Sequence, residues 1–549
     1  NRNNVFNGAE SFDQDISNWN VSKVTDMTNM FNGARRFNQD IGRWNVSGVT
    51  DMSSMFNGAR RFNQDITGWN VSGVTDMSSM FQGAIDFDQD ITGWNVSRVT
   101  DMSHMFQGAE SFNQDISGWN ISSLRIATNM FDGTGLSADI SFNIWQNWSS
   151  VSSINNTNAT AIGQVMNSLN IIDLSGLYNG DTSFNIDISG WDVSMVTDMS
   201  RMFNGAESFD QDIGGWDVSG VKDMSSMFNG AIRFNQDISG WNVSGVTNMS
   251  SMFQTALSFD QDISGWNVSR VTDMSRMFNG AESFDQDISG WNISSLRIAN
   301  NMFDGTGLSH DNSYNIWKGW SSVSSINDTN ATAIGQVMNS LNIIDLSGLY
   351  HDEISFNIDI SGWDVSAVTD MSRMFKGAAI FNQDISGWNV SGVTNMRGMF
   401  NGARRFNRDI GGWDVSAVRD MSSMFNGARR FNRDIGGWNV SMVTDMSSMF
   451  NGARRFNKDI DRWNVSGVRD MSSMFQTAVS FNYNIGSWNV SSVTNMSHMF
   501  KGAVSFNKDI VRCNVFSVTD MTNMFDGTGL TADISFNIWQ NWSSVSSIN

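Results

Sequence analysis

Tryptophan returns every 25 residues, and that interval constrains the fold more than any other feature of the chain. Trp19, Trp44, Trp69, Trp94 and Trp119 form one series, Trp191 to Trp291 a second, and Trp363 to Trp488 a third, with Cys513 in the next place. Within the repeat from Phe56 to Met80, apolar residues stand at Phe56, Ala59, Phe62, Ile66, Trp69, Val71, Val74, Met77 and Met80. Steps of two to four residues fit neither a long helix nor an alternating strand. They describe a chain that turns repeatedly around a small core, each coil completing its burial by stacking on the next. The expected fold is a β-rich solenoid, a leucine-rich-repeat-like stack of about 22 coils of 25 residues. Short parallel strands are expected at Trp69 to Ser72 and Val74 to Met80, which at ~4.8 Å per coil gives a rigid rod on the order of 100 Å.

A longer period overlies the first. After Trp119 the spacing breaks, and the break contains Phe142-Asn143-Ile144-Trp145-Gln146-Asn147-Trp148, an Asn/Thr/Ser-rich stretch, and Ala161 to Leu169. It returns after Trp291 and again after Cys513. The chain is therefore expected to be one elongated domain, residues 1–549, with regular coils over 1–131, 171–303 and 343–525. Modified spacer coils occupy 132–170, 304–342 and 526–549. The earlier part of each spacer reads as a loop insertion and the later part as a short helix, Ile162 to Leu169 in the first. Ser141 to Asn155 recurs as Ser535 to Asn549, and the sequence opens inside a repeat, which suggests a piece of a longer protein.

Composition narrows the function classes. Proline is absent, as expected where backbone N–H groups are wanted for bonds between coils. A formal net charge of −21 argues against nucleic acid and anionic membranes as partners. The lone cysteine, Cys513, excludes an internal disulfide framework and a cysteine zinc cluster. No run of 18 apolar residues is present, so no transmembrane segment is expected in this stretch.

Several columns are candidates for chemistry. Asp40, Asp65, Asp90 and Asp115, with Asp15 before them, form one carboxylate ladder, and Asp26, Asp51, Asp76 and Asp101 another. Such residues accept backbone N–H bonds at turns, yet stacked like charges also invite a cation, calcium being the oxygen-seeking choice. The column Thr25, Thr50, Thr75, Thr100 presents hydroxyls, as an ice-binding face would, but Lys222, Arg419 and Arg469 interrupt it. Gly8, Gly33, Gly58, Gly83 and Gly108 suit a positive-φ turn, with Thr255 and Thr477 at the same place elsewhere. The tryptophans suit the core edge, and Cys513 with Phe516 in place of the usual Ser reads as a local compensation in packing. Sequons mark Asn20, Asn45, Asn70, Asn95 and Asn120 in the coils, and Asn147, Asn155 and Asn158 in the first spacer, as glycosylation candidates. The pairs Arg35-Arg36, Arg60-Arg61, Arg404-Arg405, Arg429-Arg430 and Arg454-Arg455 read as solvated turn residues, or as a lateral contact with an acidic neighbouring face or an anionic glycan. A carboxylate pair repeated in every coil has no unique cleft to perturb one pKa, so no catalytic residue and no enzyme activity are expected.

The run Met-Phe-x-Gly-Ala-x-x-Phe-Asn-Gln-Asp-Ile-x-x-Trp-Asn-Val-Ser-x-Val-Thr-x-Met, seen at Met30 to Met52 and in almost every later coil, resembles the BspA-like leucine-rich-repeat surface proteins. It is the 25-residue repeat of mycoplasma lipoproteins and algal surface proteins. That resemblance implies an extracellular or cell-surface location and brings no catalytic residue. The leading expectation is a structural component of an extracellular filament, hair or coat, self-associating or bound to other coat proteins through its spacers. The alternative is a surface adhesin or ligand-binding ectodomain that recognises a protein or glycan.

Overall fold

Each coil is a succession of tight turns, and the turns explain the apolar spacing. A computed structural model describes residues 2–543. In the coil that starts at Met52, the amide of Met55 donates to Met52, Ala59 to Phe56, Phe62 to Ala59, Trp69 to Ile66 and Val74 to Val71, at 2.9–3.2 Å. Both ends of each of these three-residue chords are apolar and buried. The sequence steps of three are thus chords of turns that bring successive side chains to one core.

Other amides join coil to coil. Met52, Ser54, Phe56 and Gly58 donate to the carbonyls of Asp76, Ser78, Met80 and Gln82, at 2.7–3.0 Å. Thr75 donates back to Thr50 at 2.8 Å, and its hydroxyl reaches the same carbonyl at 3.1 Å. With so many amides committed, a proline at any of these positions would delete a bond.

The expected β-rich, leucine-rich-repeat-like solenoid is corrected by this geometry. No strand or sheet forms among the described residues, and parallel pairing is confined to isolated bridges such as Asp51 with Asp76. The reason lies in the backbone. Ser54 and Gly58 are left-handed, with φ of 55° and 69°, and the same two places recur in other coils as Asn29 and Gly33 or Ser79 and Gly83. Two left-handed residues four apart in each coil break extended geometry before a strand can propagate there. Thr255 and Thr477 hold the glycine place at φ of 53° and 54°, so the coil tolerates a side chain there at some strain.

The core is aromatic and sulfur-rich. Phe56 stacks on Phe62 with ring centroids 3.9 Å apart and on Phe81 of the next coil at 5.6 Å, and Met52, Met55 and Met77 are wholly buried around them. Burial of one such ring is worth about 1.5–3 kcal/mol. The tryptophans of the 25-residue column from Trp44 to Trp488 lie inside the core rather than at its edge. In the regular coils the indole N–H reaches a carbonyl of the preceding coil: Trp69 donates to Ile41 O at 3.2 Å, and Trp94 to Ile66 O at 3.4 Å; the spacer indoles of Trp148 and Trp542 are buried without a partner.

By backbone contacts the chain divides into two units. Unit 1 comprises Asn1–Val271, Arg276–Gln286 and Gly305–Leu308; unit 2 comprises Thr272–Ser275, Asp287–Asp304 and Ser309–Asn549. Unit 1 contains helices α1 (Ala138–Trp148) and α2 (Ala159–Ser168), and unit 2 contains α3 (His310–Trp320), α4 (Ala331–Ser340) and α5 (Ala532–Trp542). The expected helix over Ile162 to Leu169 is therefore present as α2. The expected loop insertion before it is instead a second helix, α1, whose Ile144, Trp145 and Trp148 are buried. The last part of the third spacer, 544–549, lies outside the described residues.

Candidate functional site

The spacers are where the regular surface changes, and their construction begins with a problem of hydrogen bonding. The last regular coil before a spacer offers amides that ordinarily meet the next coil's carbonyls. Helix α2 supplies side chains instead. Ala127 N donates to Gln164 Oε1 at 2.8 Å and Phe131 N to Ser168 Oγ at 2.6 Å. Gln164 and Ser168 are one helical turn apart, which is the spacing needed to meet two amides four residues apart on the coil. In unit 2, Gln336 and Ser340 meet Ala299 and Phe303 in the same way, each at 2.7 Å.

The connection between the two helices is fastened by one asparagine. Asn158 is fully buried; its amide donates to Ile121 O at 3.2 Å and Ser153 O at 2.9 Å, while its oxygen accepts from Asn155 N at 2.7 Å. Asn330 repeats all three bonds in unit 2. On the far side of α2, Gly163 lies against Trp191, where a Cβ would come within 2.5 Å of the indole Cδ1. The Trp191 N–H donates to Ala159 O at 2.9 Å, so the helix seats the first tryptophan of the following block.

Helix α1 and the following segment enclose a groove in unit 1 of about 790 Å³. Its lining includes Phe142, Trp145, Val151 and Ile172. Phe142, Val151 and Ile172 are 57%, 50% and 49% exposed, an apolar cluster among otherwise polar turns. The counterpart in unit 2, between α3 and Leu341–Glu353, measures about 620 Å³ and carries Tyr314, Val323 and Ile344 at the equivalent places. Tyr314 and Ile344 are 52% and 53% exposed, and Lys318 lies over the Tyr314 ring at 5.8 Å. Ile172 and Ile344 occupy the threonine column: the hydroxyls of Thr197 and Thr369 donate to their carbonyls at 3.3 and 3.4 Å. A residue preceded by helix rather than by a regular coil has no such carbonyl to reach, and a hydrophobic side chain stands there instead.

Tyr178 and Tyr350 add a buried polar atom to each spacer. Both replace a core phenylalanine, stack on Phe184 and Phe356 at 3.6 Å, and have hydroxyls without a hydrogen-bond partner. Burial pushes both phenols well above 10, helped at Tyr178 by Asp181, so they remain protonated.

The residues singled out by sequence fall as follows. Asp15, Asp40, Asp65, Asp90 and Asp115 are exposed, and each Oδ1 accepts the amide two residues on at 2.9–3.0 Å. Hydrogen bonds from Ser17, Thr67 and Thr92 hold Asp15, Asp65 and Asp90 below 3.8, and repulsion from Asp65 is the smallest influence on Asp90. Burial raises Asp115, but bonds from Ser117 and Asn143 outweigh it. No group of three or more His, Cys, Asp or Glu is placed to hold a metal among the described residues. The threonine hydroxyls point into the stack, each toward the preceding coil's carbonyl.

Asn20, Asn45, Asn70, Asn95 and Asn120 are exposed, each with its oxygen accepting from the Ser backbone two residues on. Asn147 is also exposed and donates to Asn143 O, and Asn155 is half-buried. Asn158 is not accessible as a glycan acceptor in this fold, because both its amide hydrogens are committed in the interior. Cys513 is buried, and its thiol faces Ile485 O at 3.7 Å, the carbonyl an indole would use; burial pushes the thiol up to about 11. Phe516 is 85% exposed, so it compensates nothing in the packing around Cys513.

One ladder was missed by the sequence reading. Asn38 Oδ1 accepts Asn63 N of the next coil at 2.9 Å and Gln64 Nε2 at 3.0 Å, and Asn63 does the same for Asp88 and Gln89. The restriction of this column to Asn or Asp, beside Gln, was the available signal.

The comparisons agree with a repeat protein. The family described as "Mycoplasma protein of unknown function, DUF285" matches residues 1–84, 64–167, 149–244, 214–320, 317–438 and 420–542. No curated protein matches. Among solved structures, an LRR protein of Leptospira interrogans aligns at 6% identity over 92% of this chain and 97% of its own, with a TM-score of 0.14, too low to bear on the fold.

Proposed function

We propose that this chain, which belongs to the DUF285 repeat family, is a non-catalytic structural protein of an extracellular filament or coat whose spacer grooves contact other copies of the chain. The observation that carries this reading is duplication. The same capping pair, the same buried asparagine and a groove with large side chains at the same places are built in each unit, from Phe142, Val151 and Ile172, all exposed, in one and exposed Tyr314 and Ile344 with half-buried Val323 in the other. A unique active site has no need of two copies, whereas contacts in an assembly recur. Exposed apolar clusters rimmed by polar residues are characteristic of protein contacts. The likeness of the coil to BspA-like surface proteins supports the extracellular location.

The test is self-association of the full chain by sedimentation at high salt, where charge contacts are screened. The pair Phe142→Asp and Ile172→Asp is expected to weaken it, with the tryptophan near-ultraviolet dichroism retained. Unchanged association would sink the groove as a contact.

A further inference from the structure

Two stretches of the coil edge differ in charge: residues 404–455 of unit 2 are rich in arginine and residues 207–282 of unit 1 are acidic. In unit 2 the turn before the second core phenylalanine carries Arg404 and Arg405, then Arg429 and Arg430, then Arg454 and Arg455, on three successive coils. All six are exposed, and none takes part in an ion pair among the described residues. Arg408 and Arg433 extend the row, their Nε atoms donating to Asn382 O at 2.7 Å and Asn407 O at 2.8 Å, which fixes the guanidinium planes along the edge. Over residues 207–282 the edge of unit 1 carries Glu207, Asp212, Asp237, Asp262 and Glu282, all exposed, with Arg233 as an interruption. The aspartates belong to a column that unit 2 shares as Asp409, Asp434 and Asp459, so the difference lies in the turn, where arginine pairs stand in unit 2 and, earlier in unit 1, at Arg35-Arg36 and Arg60-Arg61. Glu207 stands where Arg404 stands, two residues before the core phenylalanine of its coil, and Asp212 where Asp409 stands.

The two edges also share a period. Phe203, Phe228 and Phe253 each donate to the next coil at 2.9 Å, and so do Phe400, Phe425 and Phe450. The ring spacings are 5.6 Å for Phe203–Phe228 and for Phe228–Phe253, against 5.7 Å for Phe400–Phe425 and 5.6 Å for Phe425–Phe450. A basic and an acidic row of equal pitch stay in register over several coils, whereas rows of unequal pitch lose register after one or two. Hydrogen bonds from Ser239 and Ser264 hold Asp237 and Asp262 of the acidic row below 3.8.

We infer that the arginine edge of unit 2 in one copy docks on the acidic edge of unit 1 in a second copy, in coil-to-coil register. This rests on the proposed structural role and adds a second, electrostatic contact to the apolar one at the spacers. With the chain at −21 overall, the arginine rows, long at 404–455 and shorter at Arg35-Arg36 and Arg60-Arg61, are local exceptions, and the 207–282 edge of another copy matches the long row in charge and pitch.

Sedimentation of the full chain at about 20 mM and about 0.5 M salt tests it. Association is expected to weaken with salt. The variant R404Q/R429Q/R454Q is expected to weaken low-salt association about tenfold, from three exposed pairs. The variant D212N/D237N/D262N is expected to do the same while keeping the Oδ1 atoms that hold the turns. Combining both triples is expected to cost little more than either alone, the signature of direct pairing. Association that ignores both triples but is lost in F142D/I172D overturns this inference and leaves the groove contact standing. Additive losses from the two triples, or binding of the arginine edge to a sulfated polysaccharide with no salt-sensitive self-association, also overturn it. A wild-type chain that stays monomeric at every salt overturns both readings.

Discussion

Ser168→Ala isolates the device that lets a coil stack end on a helix. Phe131 and Ser168 are both buried, and the Phe131 amide meets only the serine hydroxyl, at 2.6 Å. Alanine removes the acceptor and leaves no room for the backbone to find another, so the amide becomes an unsatisfied donor at a cost of about 1–3 kcal/mol. Because an array of coils need not unfold in one step, a single melting temperature is a poor readout. Amide hydrogen exchange on the intact chain reads the effect where it arises. Exchange at Phe131 is expected to quicken about 5- to 150-fold. Phe106, one coil earlier, donates to Met130 O at 3.0 Å and is expected to keep its protection. Ser340→Ala provides an internal comparison and is expected to cost more, since Ser340 Oγ also donates to Asp304 at 2.7 Å. Unchanged exchange at Phe131, or equal acceleration at Phe106, would refute the capping role.

Three further outcomes follow from the same geometry. Gly163→Ala is expected to cost about 1–3 kcal/mol by driving a methyl into Trp191, despite the better helix propensity of alanine, whereas Gly68→Ala, with nothing within 4 Å, is expected to stay within about 0.5 kcal/mol; denaturant unfolding of each variant compares them. Asn63→Ala is expected to cost about 1 kcal/mol by freeing the Asp88 amide, while Asn63→Asp, which keeps Oδ1, is expected to be nearly neutral, as exchange at Asp88 will show. The Cys513 thiol is expected to resist alkylation at pH 8 in the folded chain; since its folded value of about 11 lies above the ordinary 9.0, the thiol form adds stability below pH 9 that is lost as pH rises toward 11, and rapid labelling at pH 8 without unfolding would contradict this.

The repeat was legible because it is written in the largest side chains. Trp69, Phe62 and Met52 return at fixed places, and spacing alone puts them in one core. What the spacing concealed was the backbone between them. Ser54 sits in a left-handed turn, and serine gives no hint of that, whereas Gly58 does. Without the left-handed turn at Ser79, the same place one coil on, Val74 to Met80 reads as a strand. The short helix at Ile162 was visible from its apolar spacing, but α1 was hidden because its buried face is made of Ile144, Trp145 and Trp148, adjacent to aromatics that read equally well as a loop. The groove itself was not readable in sequence: the 25-residue register sets Ile172 opposite Thr197, in the threonine column, but only the packing shows it half exposed in one groove with Phe142 and Val151. Asn158 misled for a related reason, since its sequon says nothing about the three internal bonds its side chain makes.

The central claim is that this chain works by contact between copies, at the spacer grooves and along the charged coil edges. A high-resolution image of the native assembly tests it most directly. The account predicts a neighbouring chain seated against Phe142, Val151 and Ile172, with Arg404, Arg429 and Arg454 facing an acidic edge of another copy. Spacers open to solvent on every side, in an ordered assembly held by other surfaces, would contradict it.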